Sequence, residues 1–206
     1  MAVNEHMKQL NRIFVIALFL WLVTTPVTGQ NGYNEFYSES LSINNTGMVV
    51  LGSWAILNIS TGAYGWIKNS GSNRYFHQMN LFWNVVNLSI AGFTLYSNIT
   101  ADYSTWEKSR ILEKHLNTQN LFLINAGLDV AYMGGGFLLR HLSDKYPKNR
   151  FRLKGYGNSV ILQGAFLFVF DLVLYGLQRG HRIHFLEQLS FTPISDALGI
   201  ALHLKF

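Results

Sequence analysis

The sequence predicts an all-α fold: a bundle of four transmembrane helices, preceded by a signal-peptide helix and followed by a short strand-like tail. Three observations carry this. Only 13% of the 206 residues are charged and 49% are hydrophobic, whereas a typical soluble domain is ~25% charged. The charges are also segregated. None occurs between Glu39 and Lys68 or between Arg74 and Asp102, and the stretches Lys114–Arg140 and Lys154–Arg179 each hold a single one, Asp129 and Asp171. Finally, a basic N-terminus leads straight into an apolar run.

The first 29 residues read as a signal peptide. Lys8 and Arg12 precede the uninterrupted apolar run Ile13–Val23, and Val27 and Gly29 suit the −3 and −1 positions of a cleavage site. The run is short of the ~20 apolar residues that span a bilayer, so cleavage near Gly29 is expected over an uncleaved anchor. Residues 30–46 then form an external N-terminal segment, residues 47–180 a four-span membrane domain, and residues 181–206 an external tail.

Each charge-poor stretch holds a helix of ~20 residues, enough for a ~30 Å hydrocarbon core. The spans fall near 47–67, 78–98, 119–140 and 157–178, with Trp66, Tyr75, Tyr96, Tyr156 and Tyr175 near their ends, as interfacial aromatics are. Soluble core helices rarely reach this length, and four of them would leave little polar surface. With the mature N-terminus outside, the cytoplasmic side collects Lys68, Arg74, Arg140, Lys145, Lys148, Arg150, Arg152 and Lys154. That agrees with the positive-inside rule; Arg179 and Arg182 fall on the opposite side. The net charge of +5 is therefore an orientation signal, and no nucleic-acid partner is expected. The expected location is the cytoplasmic (inner) membrane, with the mature N-terminus and the C-terminal tail external.

Polar residues inside spans are costly unless partnered, which makes them the functional candidates. In the second span, His77, Asn80, Asn84 and Asn87 are spaced three, four and three, on one helical face. The third span repeats this with Asn125, Asp129, Tyr132 and Gly136, beside a small-residue edge of Gly127, Ala131 and Gly135 that would admit a close neighbour. The fourth offers Gln163 and Asp171, and the first Asn58. An ionised carboxylate at mid-span costs at least ~2.5–3.5 kcal/mol, and no span holds a Lys or Arg to neutralise it. Asp129 and Asp171 must be paired, hydrated or protonated. A polar path or pocket for a small polar solute, ion or proton is one reading; amides that merely fix helix pairing are the other.

With no cysteine, thiolate metal sites, disulfides and thiol catalysis are excluded. His181 and His184, with His115 or His203, lack the carboxylate or Cys spacing of a metal motif. No metal and no cofactor are expected. Intramembrane aspartyl proteases carry Gly-x-Gly-Asp, which Gly127-Leu128-Asp129 does not match, so an enzyme is the least favoured class. From Leu198 to Phe206 apolar residues alternate strictly, the pattern of a strand.

The segments Phe76-His77-Gln78-Met79-Asn80, followed by Trp83-Asn84 and Asn87, and Asn125-Ala126-Gly127-Leu128-Asp129-Val130-Ala131-Tyr132 resemble a family of small, uncharacterised bacterial multi-pass membrane proteins. The likeness covers about residues 47–180. It implies a membrane protein in which the polar stripe matters, and it supplies no activity. The expected partners are the lipid bilayer, a small polar solute or ion, and a second copy of the chain in a homo-oligomer.

Overall fold

The computed structural model describes residues 30–190; the expected signal peptide and the alternating tail lie outside them. The described residues form four helices and no strand: α1 (Gln30–Lys68), α2 (Gly71–Thr100), α3 (Lys108–Lys145) and α4 (Arg150–Ser190), with one 3-10 turn at Pro147–Asn149 before α4. Three of these, α1, α3 and α4, are long and apolar enough to cross a membrane. The fourth, α2, is less apolar because it carries His77, Gln78 and the asparagine stripe within its central turns.

The helices outrun the expected spans. At 1.5 Å per residue, the 39 residues of α1 reach ~58 Å, nearly twice the hydrocarbon thickness. Residues 30–46 and 108–118, expected outside the spans, thus continue α1 and α3 without a break. The joint between α1 and α2 is only two residues, closed by Gly71 at φ 56°, a conformation that glycine reaches without a Cβ clash.

Pairing follows from side-chain partners. Asn45 meets Asn98 and Asn58 meets Asn80, so α1 and α2 are antiparallel. Gln119 meets Arg182 and Gly136 meets Gly157, so α3 and α4 are antiparallel. Ser40 meets Gln178 and Trp54 meets Gln163, so α1 is also antiparallel to α4, and α1 and α3 run the same way. Helix α4 packs on all three others, whereas α2 and α3 come no closer than 8 Å between Cα atoms. The bundle is consequently open along one seam.

Its surface is inverted relative to a soluble protein. Val50, Phe82, Val86, Phe93, Leu121, Phe137, Val169 and Leu177 are exposed, while Asn58, Asn80, Asn84, Asn87, Gln163, Asp129 and Asp171 are buried. Apolar outside and polar inside is the arrangement a hydrocarbon solvent selects.

The small residues that bring helices together are not the expected ones. Gly127 and Gly135 have open space beside them. The close approach uses Gly136 and Gly157 instead: a Cβ on Gly136 would lie 2.8 Å from the Gly157 carbonyl oxygen, and one on Gly157 would lie 2.6 Å from that of Gly136. Backbone sits on backbone there and neither helix can yield alone. Gly157→Ala is expected to cost ~1–3 kcal/mol by overpacking, whereas Gly127→Ala should be neutral or slightly stabilising. Thermal unfolding of the two variants in detergent checks this.

Candidate functional site

Of the ten residues expected to form one polar interior, nine separate into two groups. The first is a closed amide ring joining α1, α2 and α4. The Trp54 indole donates to Gln163 Oε1 at 3.0 Å, and Gln163 Nε2 donates to Asn80 Oδ1. Asn80 Nδ2 donates to Asn58 Oδ1 at 2.7 Å, and Asn58 Nδ2 returns to the Trp54 carbonyl at 2.8 Å. Asn84 extends the ring along α2 by donating to the Asn80 carbonyl at 2.7 Å. Asn84 and Gln163 are fully buried, and Phe166 stacks on Trp54 at 3.9 Å. Its amide side chains are buried and none of them lines the α2–α3 cleft. Its hydrogen bonds are made within the chain, the arrangement of interhelical packing.

The second group lines a cleft of about 540 Å³ along the open seam between α2 and α3. Asp129 and Asp171 sit on its floor, 3% and 5% exposed, and their carboxyl groups are hydrogen-bonded to each other. A carboxylate only accepts, so two carboxyl groups this close can bond to each other only when one of them carries a proton. Asp129 Oδ2 has no hydrogen-bond partner. Asn87, Asn125 and Tyr132 line the same cleft, and its lining contains no Lys, Arg or His. Asn87 also donates to Asn84 Oδ1 at 3.4 Å, which links cleft and ring. Across the seam, Trp83 of α2 and Tyr132 of α3 meet edge to face, ring centres 5.0 Å apart.

His77 belongs to neither group. Its ring lies against Gly65 near the α1–α2 joint, and its Nδ1 is buried without a partner. It shares a helix face with Asn80, as the spacing predicts, but it does not line the cleft.

One layer was not read from the sequence. At the end of the bundle remote from the α1–α2 joint, Phe36, Tyr37, Ile111 and Phe185 form an aromatic core. Ser40, His115 and Gln178 are buried beside it. The Ser40 hydroxyl donates to Gln178 Oε1 at 2.9 Å, so the 2.8 Å contact with His115 Nδ1 uses the imidazole N–H, leaving His115 Nε2 bare and without a partner. A Ser–His pair invites comparison with a nucleophile and its base, but both residues are buried and neither lines the cleft. The recoverable signal was Tyr33, Phe36, Tyr37 and Ser40, spaced three, one and three on one helical face. Among the described residues no group of three His, Asp or Glu is placed to hold a metal.

His115 lies beyond the expected span, and burial, aided by His181 and Arg182, pushes its imidazole from 6.5 down to about 4. It is neutral in the folded chain, while an unfolded chain takes up the proton below its ordinary value. The bundle should therefore lose stability as pH falls from 6.5 towards 4, by on the order of 3 kcal/mol. Thermal unfolding across that range should show the slope in the wild type and a smaller one in His115→Gln.

Comparison with known proteins adds the family. DUF6992, a family of unknown function, matches residues 50–172. The chain belongs to it. The DUF6992 segment contains both the amide ring and the carboxyl pair, and it ends before the Ser40, His115 and Gln178 layer is complete. No curated protein and no solved structure matches the chain.

Proposed function

We propose that this DUF6992 protein is a four-span membrane protein whose α2–α3 cleft binds or conducts a small polar solute, ion or proton, with Asp129 and Asp171 as the titrating groups. One observation carries the reading. Two buried carboxyl groups adjoin on the floor of a cleft whose lining supplies no basic side chain. A structural role would be served by a neutral pair such as the amides of the ring. A carboxyl pair holds a proton that can be exchanged for another cation, charge for charge.

Helix α2 crosses with the others in this reading, because its amides are satisfied from within and its outward residues Phe82, Val85 and Phe93 are apolar. The mature N-terminus and the tail are external, a leader having been removed, and the host membrane is a bacterial cytoplasmic membrane. The ring of Trp54, Asn58, Asn80 and Gln163 supports a second role for its own residues, that of fixing helix packing, since every one of them is partnered inside the chain.

The test is a pH titration of tryptophan fluorescence on the purified protein, with Trp83→Phe identifying the signal from the cleft. The wild type should show a reversible change that Asp129→Asn with Asp171→Asn removes while the protein remains folded. Identical curves for the wild type and the double variant would assign the carboxyls to packing alone.

A further inference from the structure

Resting on the reading of the cleft as a binding site, we infer that its occupant is an organic ammonium with an apolar body, admitted sideways from the lipid between α2 and α3. Two acceptors on residues that line the cleft have no donor within the chain: Asp129 Oδ2 and Asn44 Oδ1, on residues 3% and 8% exposed. Both are oxygens, so the missing group is a hydrogen-bond donor. Asp129 and Asp171 place two carboxyl groups side by side in the cleft, and negative charge on either has no counter-ion on any lining residue. The donor should therefore be cationic.

The rest of the wall selects among cations. A hard metal ion collects six or more oxygens at short range; this wall sets its aspartates and asparagines beside a larger apolar surface from side chains such as Met48, Leu51, Ile90, Phe122 and Phe170. Those suit an alkyl or aromatic body, and the faces of Trp83 and Tyr132 at the seam suit a passing ammonium. Access follows from the helix arrangement. With α2 and α3 apart, the lips of the cleft are Val86 and Ile90 on one side and Leu121 and Leu128 on the other, 48–58% exposed. In a bilayer those lips meet acyl chains. A zwitterionic lipid headgroup is disfavoured, because its phosphate would find no Lys, Arg or His in the cleft.

The experiment is a thermal-shift titration of the full chain in detergent with octylammonium chloride, against octanol, sodium octanoate and sodium chloride. A ligand of the folded state raises the unfolding temperature with concentration. Octylammonium should give a saturable rise that octanol and octanoate do not. Its apparent affinity should fall ~10-fold or more in Asp129→Asn, the loss of a charge-assisted hydrogen bond. Ile90→Trp, which adds bulk at the lip of the cleft and keeps both aspartates, should abolish the rise and keeps the test sound if Asp129→Asn unfolds. An octylammonium response no stronger than that of octanol, or one unchanged in both variants, overturns the inference. If sodium or pH then still produces an aspartate-dependent shift, the cleft remains a cation site and only the ligand class falls; if neither does, both readings fall.

Discussion

Asn80→Leu is expected to be the most damaging substitution within the amide ring, lowering stability by roughly 2–4 kcal/mol. The size is nearly unchanged, so packing is not the cause. Asn80 is the one residue that both donates to Asn58 and accepts from Gln163. Leucine leaves the Asn58 oxygen and a Gln163 N–H stranded at once, between α1 and α4, where no water replaces them. The intrinsic worth of a hydrogen bond between membrane helices is modest, on average ~0.6 kcal/mol, and the penalty comes mainly from the abandoned partners. Unfolding in detergent by heat or by sodium dodecyl sulfate checks this, with Ser89→Ala as the control. Ser89 is exposed and bonds only to the Val85 carbonyl of its own helix. A change as small as that of the control would mean that the ring does not hold the helices together.

Asp129→Asn should have the opposite profile. Asparagine matches the carboxyl in size and can donate to Asp171, so folding is expected to survive within ~1 kcal/mol. What disappears is the shared proton and the negative charge left when it departs. Cation binding at the cleft should weaken by ~10-fold or more, and so should any cation-dependent change at the Trp83–Tyr132 contact. Apparent affinity in the wild type should rise with pH, because protons and cations compete for the same pair; the dependence should flatten in the variant. Binding isotherms at several pH values measure both. A variant that binds as the wild type does would remove Asp129 from the site.

These contrasting outcomes explain what the sequence could reveal. Charge-poor runs located the helical bodies, because a Lys or Asp in hydrocarbon is costly and their scarcity over ~20 residues is informative. Helix ends were not legible. Glu35, Glu39, Lys108 and Glu113 look like loop residues in a linear pattern, yet each lies on a helix that continues past the expected span around Phe36 and His115. Periodicity placed Asn125, Asp129 and Tyr132 on one face, and all three line the cleft. It also placed Asn58, Asn80 and Gln163 among the polar residues, but spacing cannot tell a partnered amide from one that faces a cavity. The same limit misdirected the small residues. Gly135 and Gly136 are adjacent, and only the three-dimensional packing shows that Gly136 meets α4 while Gly135 faces open space.

The proposed function requires a protonated carboxyl pair that can be reached through the α2–α3 seam. Dicyclohexylcarbodiimide, an apolar reagent that attacks protonated carboxyls, probes both conditions together when its adducts are mapped by mass spectrometry. An adduct on Asp129 or Asp171 in the wild type, suppressed by octylammonium and by Ile90→Trp, is the expected result. Modification confined to exposed carboxyls such as Glu39, with both cleft aspartates untouched, would contradict it.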